Sequence, residues 1–164
     1  MSNNNKEKYY QSIKRRDPAA RNNWQIFWTY PSVIALRWYK VAHFFYDKMH
    51  LKFIGEVLSH IARKKTGIEI HPHAKIGRNL FIDHGMGVVI GETSIIGDNV
   101  TLYHGVTLGG SSLQKKDRHP IVEDNVVIGT GAKIIGRVRI GKNAKIGPNV
   151  VIREDVEENS IIKE

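Results

Sequence analysis

The 164-residue chain contains no cysteine. That single absence excludes disulfides, thiolate zinc sites and a cysteine nucleophile. It is compatible with a cytoplasmic protein without fixing the compartment. No apolar run approaches the roughly 20 residues of a membrane span. The first residues, Met1 to Lys8, are polar and lack the apolar core of a signal peptide. The expectation is a cytoplasmic protein that does not engage a membrane. Acidic side chains are scarce, 16 against 25 lysines and arginines, for a formal net charge of +9. The basic residues are scattered, apart from Lys14-Arg15-Arg16 and Arg63-Lys64-Lys65. Neither cluster has the length or aromatic interleaving of a nucleic-acid patch, so no nucleic-acid partner is expected. A solvated basic surface accounts for most of this charge, and a small polyanionic ligand suits it equally well.

Two different periods divide the chain. Up to Gly67, apolar residues recur at helical spacing. Asp17-Pro18-Ala19-Ala20 reads as a helix start, with Asp17 as N-cap and Pro18 at the first helical position. Pro31 and Ser32 open a second segment, in which Ile34, Trp38, Val41 and Phe45 share one face. Ile54, Val57, Leu58 and Ile61 repeat the pattern in a shorter helix. Arg63, Lys64 and Lys65 fall in its last turn, where cations oppose the helix dipole, and Gly67 supplies the C-cap. Asn3 to Asn5 read as a frayed tail. Residues 1–67 are therefore expected to form a small α-helical domain.

From Ile68 the period becomes six. Aliphatic residues fall at Ile70, Ile76 and Ile82, then at Ile90, Ile96, Leu102 and Leu108, then at Val122, Ile128, Ile134, Ile140, Ile146 and Ile152. Glycine often follows directly, as at Gly77, Gly91, Gly97, Gly129, Gly141 and Gly147. A fixed short repeat is the signature of a solenoid, and six is the period of a parallel β-helix. Each hexad supplies one short strand and one corner, with its aliphatic residue pointing inward. The fold class expected is thus mainly β: a parallel β-helix over residues 68–164, preceded by the helical domain. Such a scaffold carries no chemistry of its own, so function is sought where the period breaks.

It breaks twice. Between Ile82 and Ile90 lies Asp83-His84-Gly85-Met86-Gly87. Between Leu108 and Val122 lie Gly109-Gly110-Ser111-Ser112, a basic stretch and Asp117-Arg118-His119-Pro120, which implies an extruded loop near 111–119. His84 is the best candidate base, because histidine alone is intrinsically suited to take a hydroxyl proton near neutral pH. A base histidine needs an anion to orient it. Glu69, fifteen residues earlier, should lie one coil below near the same corner. Asp83 is adjacent, but neighbours on an extended strand face opposite ways, so Glu69 is the preferred partner. His71 and His73 alternate as on a strand and could share a metal. No third ligand is evident, and no metal is expected. His104 reads as structural.

These residues resemble the serine acetyltransferases. The likeness is carried by the run from Ile68 to Arg78, by Ile82 to Thr93 with its Asp-His-Gly-Met-Gly, by Gly105 to Gly110, by Asp117-Arg118-His119-Pro120, and by Arg16-Asp17-Pro18-Ala19 in the helical region. The hexads alone would fit any hexapeptide-repeat acyltransferase. The resemblance implies a left-handed β-helix, a homotrimer and active sites between subunits. It implies transfer of acetyl from acetyl-coenzyme A (acetyl-CoA) to the hydroxyl of L-serine, giving O-acetyl-L-serine for cysteine biosynthesis. His84 then matches the family's base, and Glu69 its partner carboxylate, an aspartate in better-known members. Asp17, Asp83, Arg118 and His119 match serine-binding positions. The charges agree, since a zwitterion needs an anion for its ammonium and a guanidinium for its carboxylate. L-cysteine would compete there as feedback inhibitor. Gly109, Gly110, Thr130, Gly131, Lys145 and Pro148 match the positions that line coenzyme A.

Two departures stand out. Relatives carry a longer helical domain that joins two trimers into a hexamer, and the short region here is compatible with a lone trimer as well as with a hexamer. Relatives also end in a further coil and a tail that docks into cysteine synthase. This chain closes on Ile161-Ile162-Lys163-Glu164, which puts that docking in doubt. Two rival readings are an O-acetyltransferase acting on a sugar or polysaccharide hydroxyl, and a non-catalytic β-helical module. Asp17 with Arg118 argues against the first, and His84 with Glu69 against the second.

Overall fold

The computed structural model describes residues 8–111, 113 and 117–163. The tail expected at Asn3 to Asn5, and positions 112 and 114–116 of the expected loop, lie outside the described residues. The helices are α1 (Tyr9–Arg16), α2 (Asn23–Thr29), α3 (Pro31–His43), which runs on through a π-helical turn at Phe44–Lys48, and α4 (Lys52–Thr66). Pro31 opens α3, where its missing N–H costs nothing. Gly67 closes α4 at φ 71, a left-handed cap that glycine adopts without strain.

Two expectations fail in this region. Asp17 does not start a helix. It ends α1, donating its N–H to Ile13 O at 2.8 Å, while its carboxylate accepts from the Ala19 N–H at 2.8 Å. That local bond makes a turn instead of a cap. The N-cap of α2 is Asn22, which accepts from the Gln25 N–H at 2.9 Å. The expected apolar faces of α3 and α4 are also not the buried ones. Val41, Ile54 and Val57 are exposed, and Ile34, Trp38, Phe45, Leu58 and Ile61 are only partly covered. The buried stripes are Val33, Ala35, Leu36, Tyr39 and Ala42 on α3, and Gly55, Ala62 and Thr66 on α4. At Gly55 only a residue without a side chain fits: a Cβ there would lie 2.8 Å from Tyr46 Cβ and 2.9 Å from Ala42 O.

From Glu69 the chain coils. The first sheet stacks β1 (Glu69–Ile70), β4 (Val89–Ile90), β7 (Thr107–Gly109), β10 (Lys133–Ile135) and β13 (Val151–Ile152). The second stacks β2 (Lys75–Ile76), β5 (Ile95–Ile96), β8 (Ile121–Val122) and β11 (Arg139–Ile140). The third stacks β3 (Phe81–Ile82), β6 (Thr101–Leu102), β9 (Val127–Ile128), β12 (Lys145–Ile146) and β14 (Ile161–Ile162). All pairings are parallel, and every third strand returns to the same sheet, as the six-residue period requires. Register is set by the inward aliphatics: Ile70 sits on Ile90, Ile90 on Leu108, Leu108 on Ile134 and Ile134 on Ile152. The prism has three edges where coils turn. The first edge, after the first sheet, holds residues 71–74 and 91–94 and receives the segment 110–120. The second holds 77–80, 97–100, 123–126 and 141–144. The third, which leads back into the first sheet, holds 83–88, 103–106, 129–132 and 147–150.

One side chain ties α1 to the coils. The Arg16 guanidinium donates to Asn79 O (2.6 Å), Val100 O (3.0 Å), Thr101 Oγ1 (3.0 Å) and Ser12 Oγ (2.7 Å), and lies 5.3 Å from the Phe81 ring centre. Those carbonyls belong to two successive turns of the second edge, so α1 is bolted across a coil boundary. Replacing Arg16 by Met keeps the packing length but leaves carbonyls unmet. It should cost about 1–3 kcal/mol, read as a lower urea midpoint at constant slope. An unchanged midpoint would mean that the apolar contacts of Ile13 suffice to hold the helix.

Candidate active site

Asp83 and His84 follow β3 at the start of the third edge. His84 sits at φ 58, followed by Gly85 at φ 83 and Gly87 at φ 75. Elsewhere in the coils, among the described residues, each non-glycine residue in this left-handed region is asparagine: Asn79, Asn99, Asn125, Asn143, Asn149 and Asn159. Asparagine relieves the conformation with local hydrogen bonds, whereas other side chains bear roughly 1–2 kcal/mol of strain. A histidine at such a corner points to function. The turn swings the imidazole into solvent, where it is 77 % exposed, with Nε2 4.0 Å from Asp83 Oδ2. Its ring stands edge-on to His104, centroids 5.9 Å apart. Residues 83 and 84 therefore do not lie on an extended strand, and the sequence argument that turned them to opposite faces loses its premise.

Glu69 lies one coil beneath this corner, as expected. Its N–H donates to Val88 O at 2.9 Å, and Gly67 O accepts from the Gly87 N–H at 2.9 Å. Its carboxylate, however, pairs with Arg63 from the last turn of α4 at 3.0 Å instead of with His84. Both partners are well exposed, so the pair is weak. Arg63 was read in the sequence only as a dipole-opposing cation.

Asp17 follows directly on α1. The Tyr30 hydroxyl donates to Asp17 Oδ2 at 2.5 Å. Burial, the bond to Asp17 and the nearby charges of Asp17 and Asp83 push the Tyr30 pKa up to about 12. One phenol thus bonds Asp17 and feels the charge of Asp83, and Asp83 is the carboxylate beside His84. Nothing in the sequence singled out Tyr30. It belongs to no motif, and only its contacts reveal it.

Arg118 and His119 sit on the first edge. His119 is buried, and its Nδ1 accepts from the Thr93 N–H at 3.1 Å and lies 2.9 Å from Thr93 Oγ1. Thr93 Oγ1 in turn accepts from the Arg118 and His119 N–H groups at 3.0 and 3.2 Å. Arg137 clamps the segment from beyond, donating to Thr93 O and His119 O at 3.0 and 3.1 Å. With Nδ1 as acceptor, the ring carries its proton on Nε2. Burial and then the Arg118 charge lower its pKa. A Cβ on Gly91 would fall 2.0 Å from His119 Cδ2, so only glycine leaves room for the ring. Thr93 and Arg137 are the residues that sequence reasoning passed over here.

The two groups do not meet within one chain. The face carrying β4 separates them, and the three steps from Val88 to Gly91 alone span about 10 Å. The remaining candidates divide the same way. Thr130, Gly131 and Pro148 stack above His84 on the third edge, in a backbone ladder: Gly105 N–H to Met86 O (2.9 Å), Gly131 N–H to His104 O (2.9 Å) and Asn149 N–H to Thr130 O (2.7 Å). Lys145 is exposed on β12 close by. Gly109 ends β7 and Gly110 opens the first-edge segment, where a Cβ on Gly110 would lie 3.0 Å from Arg118 Cγ. A cavity of about 490 Å³ between α1, α3 and the second edge touches none of these residues. His71 and His73, expected on a strand, instead occupy a first-edge corner, where the His73 N–H donates to His71 Nδ1 at 3.1 Å and His73 Nδ1 meets Asp47 at 2.7 Å.

The bacterial transferase hexapeptide family, six repeats, matches residues 119–154. A serine acetyltransferase of Helicobacter pylori is 53 % identical over 146 residues, 89 % of this chain and 85 % of that protein. The chain belongs to the serine acetyltransferase family. Solved serine acetyltransferases superpose closely. Isoform 3 of Entamoeba histolytica, in complex with cysteine, gives a TM-score of 0.88 at 40 % identity over 94 % of this chain and 55 % of that one. The Neisseria gonorrhoeae protein, in complex with serine, gives 0.89 at 37 % identity over 93 % and 62 %. The chain thus spans less than two thirds of those solved relatives.

Two consequences are measurable. Asparagine fits the corner at 84 better than histidine, so His84→Asn should melt at or slightly above the temperature of the parent. A clear fall in melting temperature would contradict the strain. The lowered pKa of His119 means that the unfolded chain binds more protons than the folded one as pH falls. Stability should therefore decline on the acid side of about pH 6.5. His71, also lowered by burial, adds to the same slope. Melting temperatures between pH 7.5 and 5.5 should fall less steeply in His119→Gln, and an unaltered slope would assign the effect to other groups.

Proposed function

We propose that this chain transfers acetyl from acetyl-CoA to L-serine, with His84 as general base and Asp17, Asp83, Arg118 and His119 as the serine-binding groups. The observation that carries this reading is His84, exposed at a left-handed corner with Asp83 beside it, while Tyr30 bonds Asp17 within reach of the Asp83 charge. Two carboxylates next to one base suit an acceptor that carries an ammonium close to its hydroxyl. A neutral sugar offers no cation to them, which disfavours the polysaccharide alternative. The serine bound by the Neisseria relative supports the same choice.

In this mechanism His84 Nε2 takes the serine hydroxyl proton as the oxygen attacks the thioester carbonyl carbon. The new C–O bond forms, the C–S bond breaks, and the imidazolium returns its proton to the departing thiolate. The products are O-acetyl-L-serine and coenzyme A. Asp83 is the carboxylate nearest the ring. Glu69 acts as the second counter-charge once its side chain leaves Arg63. Thr130, Gly131, Lys145 and Pro148 hold acetyl-CoA along the third edge, and Lys145 meets a phosphate. N–H groups about Gly109 and Gly110 steady the oxyanion.

Because His84 and Arg118 lie on different edges, one chain offers only half a site. We infer that the coils form a left-handed prism packing as a homotrimer, with the first edge of one copy closing on the third edge of the next. In this reading the helical unit is residues 1–67 and the β-helical unit, 68–164, is the trimer's body. L-cysteine, bound by the Entamoeba relative, presents the same charges and competes as inhibitor. We place the enzyme in the cytoplasm, and its docking to cysteine synthase stays unassigned.

Thiol release from acetyl-CoA, followed across a panel of amino acids and sugars, tests the function. Release is expected with L-serine alone, and release with sugars but not serine would replace this reading. His84→Asn should lose on the order of 10²–10⁴-fold in kcat. Mixing subunits of His84→Ala with subunits of Arg118→Ala, each inactive alone, should restore activity if sites are shared between copies. No recovery in mixed trimers would put each site within one chain.

A further inference from the structure

The phenol of Tyr30 is set more firmly than a substrate-facing loop requires. Its ring packs against the small core of Ile13, Ile26, Val33 and Phe81, at the junction of α2 and α3. Its hydroxyl donates to Asp17 Oδ2 at 2.5 Å. The other Asp17 oxygen, Oδ1, accepts from the Ala19 N–H at 2.8 Å. Each oxygen of the carboxylate is therefore gripped once, one by the local turn and one by a side chain anchored in a core.

Asp17 needs this grip. It follows the last residue of α1, so no helical bond fixes its side chain. Arg16 bolts the preceding backbone to the second edge, but it points away from the third. Asp83 also lies close enough for its charge to act on the Tyr30 hydroxyl. Two carboxylates brought together without a cation repel one another and splay. A neutral donor on one of them reduces that repulsion while leaving both charges in place.

We propose that Tyr30 is a positioning residue for the acceptor amino acid: its hydroxyl holds Asp17 so that Asp17 and Asp83 together face the substrate ammonium. This rests on the proposed serine-binding role of Asp17. The phenol keeps its proton throughout the range in which a histidine base works, because burial and the two carboxylates hold its pKa at about 12. It is thus always a donor to Asp17 and never a third anion. It touches neither the hydroxyl that reacts nor the thioester, so it governs binding of the amino acid and not the chemical step.

Tyr30→Phe keeps the ring and removes the donor. With the full-length protein, the KM for L-serine should rise about tenfold, the loss expected for one hydrogen bond to a charged group. The kcat should stay within about twofold and the KM for acetyl-CoA should not move. A merely structural role would instead lower kcat and both KM-dependent rates together with melting temperature. The decisive measurement repeats the substitution in an Asp17→Asn background, where Tyr30→Phe should add almost nothing to the serine KM. A wild-type serine KM in Tyr30→Phe, or a further tenfold rise on top of Asp17→Asn, overturns the inference while leaving the function standing. If the parent protein releases no thiol with L-serine, the function itself falls, and this inference with it.

Discussion

Each coil is held to the next by main-chain hydrogen bonds that run through the strands and on through the corners. On the third edge the ladder passes from Gly67 to Gly87, from Met86 to Gly105, from His104 to Gly131 and from Thr130 to Asn149. Everything functional depends on that continuity. It fixes the backbone at every corner to within a bond length, and so fixes what each corner can display. It also demands left-handed residues at regular intervals, which the chain meets with asparagine and glycine. His84 uses one of these obligatory turns to project an imidazole outward. The scaffold's own geometric requirement thus becomes the means of presenting that imidazole.

The helical region serves the coils by bringing in groups the repeat cannot supply. A hexad offers an inward aliphatic and a few outward positions, with little scope for clustering charges at an edge. Arg16 fixes α1 to the second edge, and Asp17 follows it in a local turn. Tyr30, at the junction of α2 and α3, bonds Asp17. Arg63, from the end of α4, holds Glu69. Each helical segment thereby brings polar side chains to the start of the coils.

Much of this was legible in the sequence, for a definite reason. The hexad writes the inward positions directly, and the paired register of Ile70, Ile90, Leu108, Ile134 and Ile152 is the one the spacing dictates. The interruptions of the period located His84, Arg118 and His119, because a loop thrown out of a regular coil needs another purpose. What escaped was whatever depends on contacts between distant segments. The large apolar faces of α3 and α4 looked like core, yet close packing chose the narrow stripe of Ala35, Ala42, Gly55 and Ala62. Asp17 looked like a cap because Asp-Pro so often is one, but its carboxylate closed a local turn first. Tyr30 and Arg137 bear no motif, Thr93 only ends one without a role of its own, and what all three do follows only from what they touch.

The division of polar groups between two edges also governs how the molecule behaves before assembly. His84 stands on the third edge and Arg118 on the first, with the face carrying β4 between them. Under the function proposed above, activity would scale with the concentration of closed interfaces between copies, and dilution would act on the reaction as a rheostat.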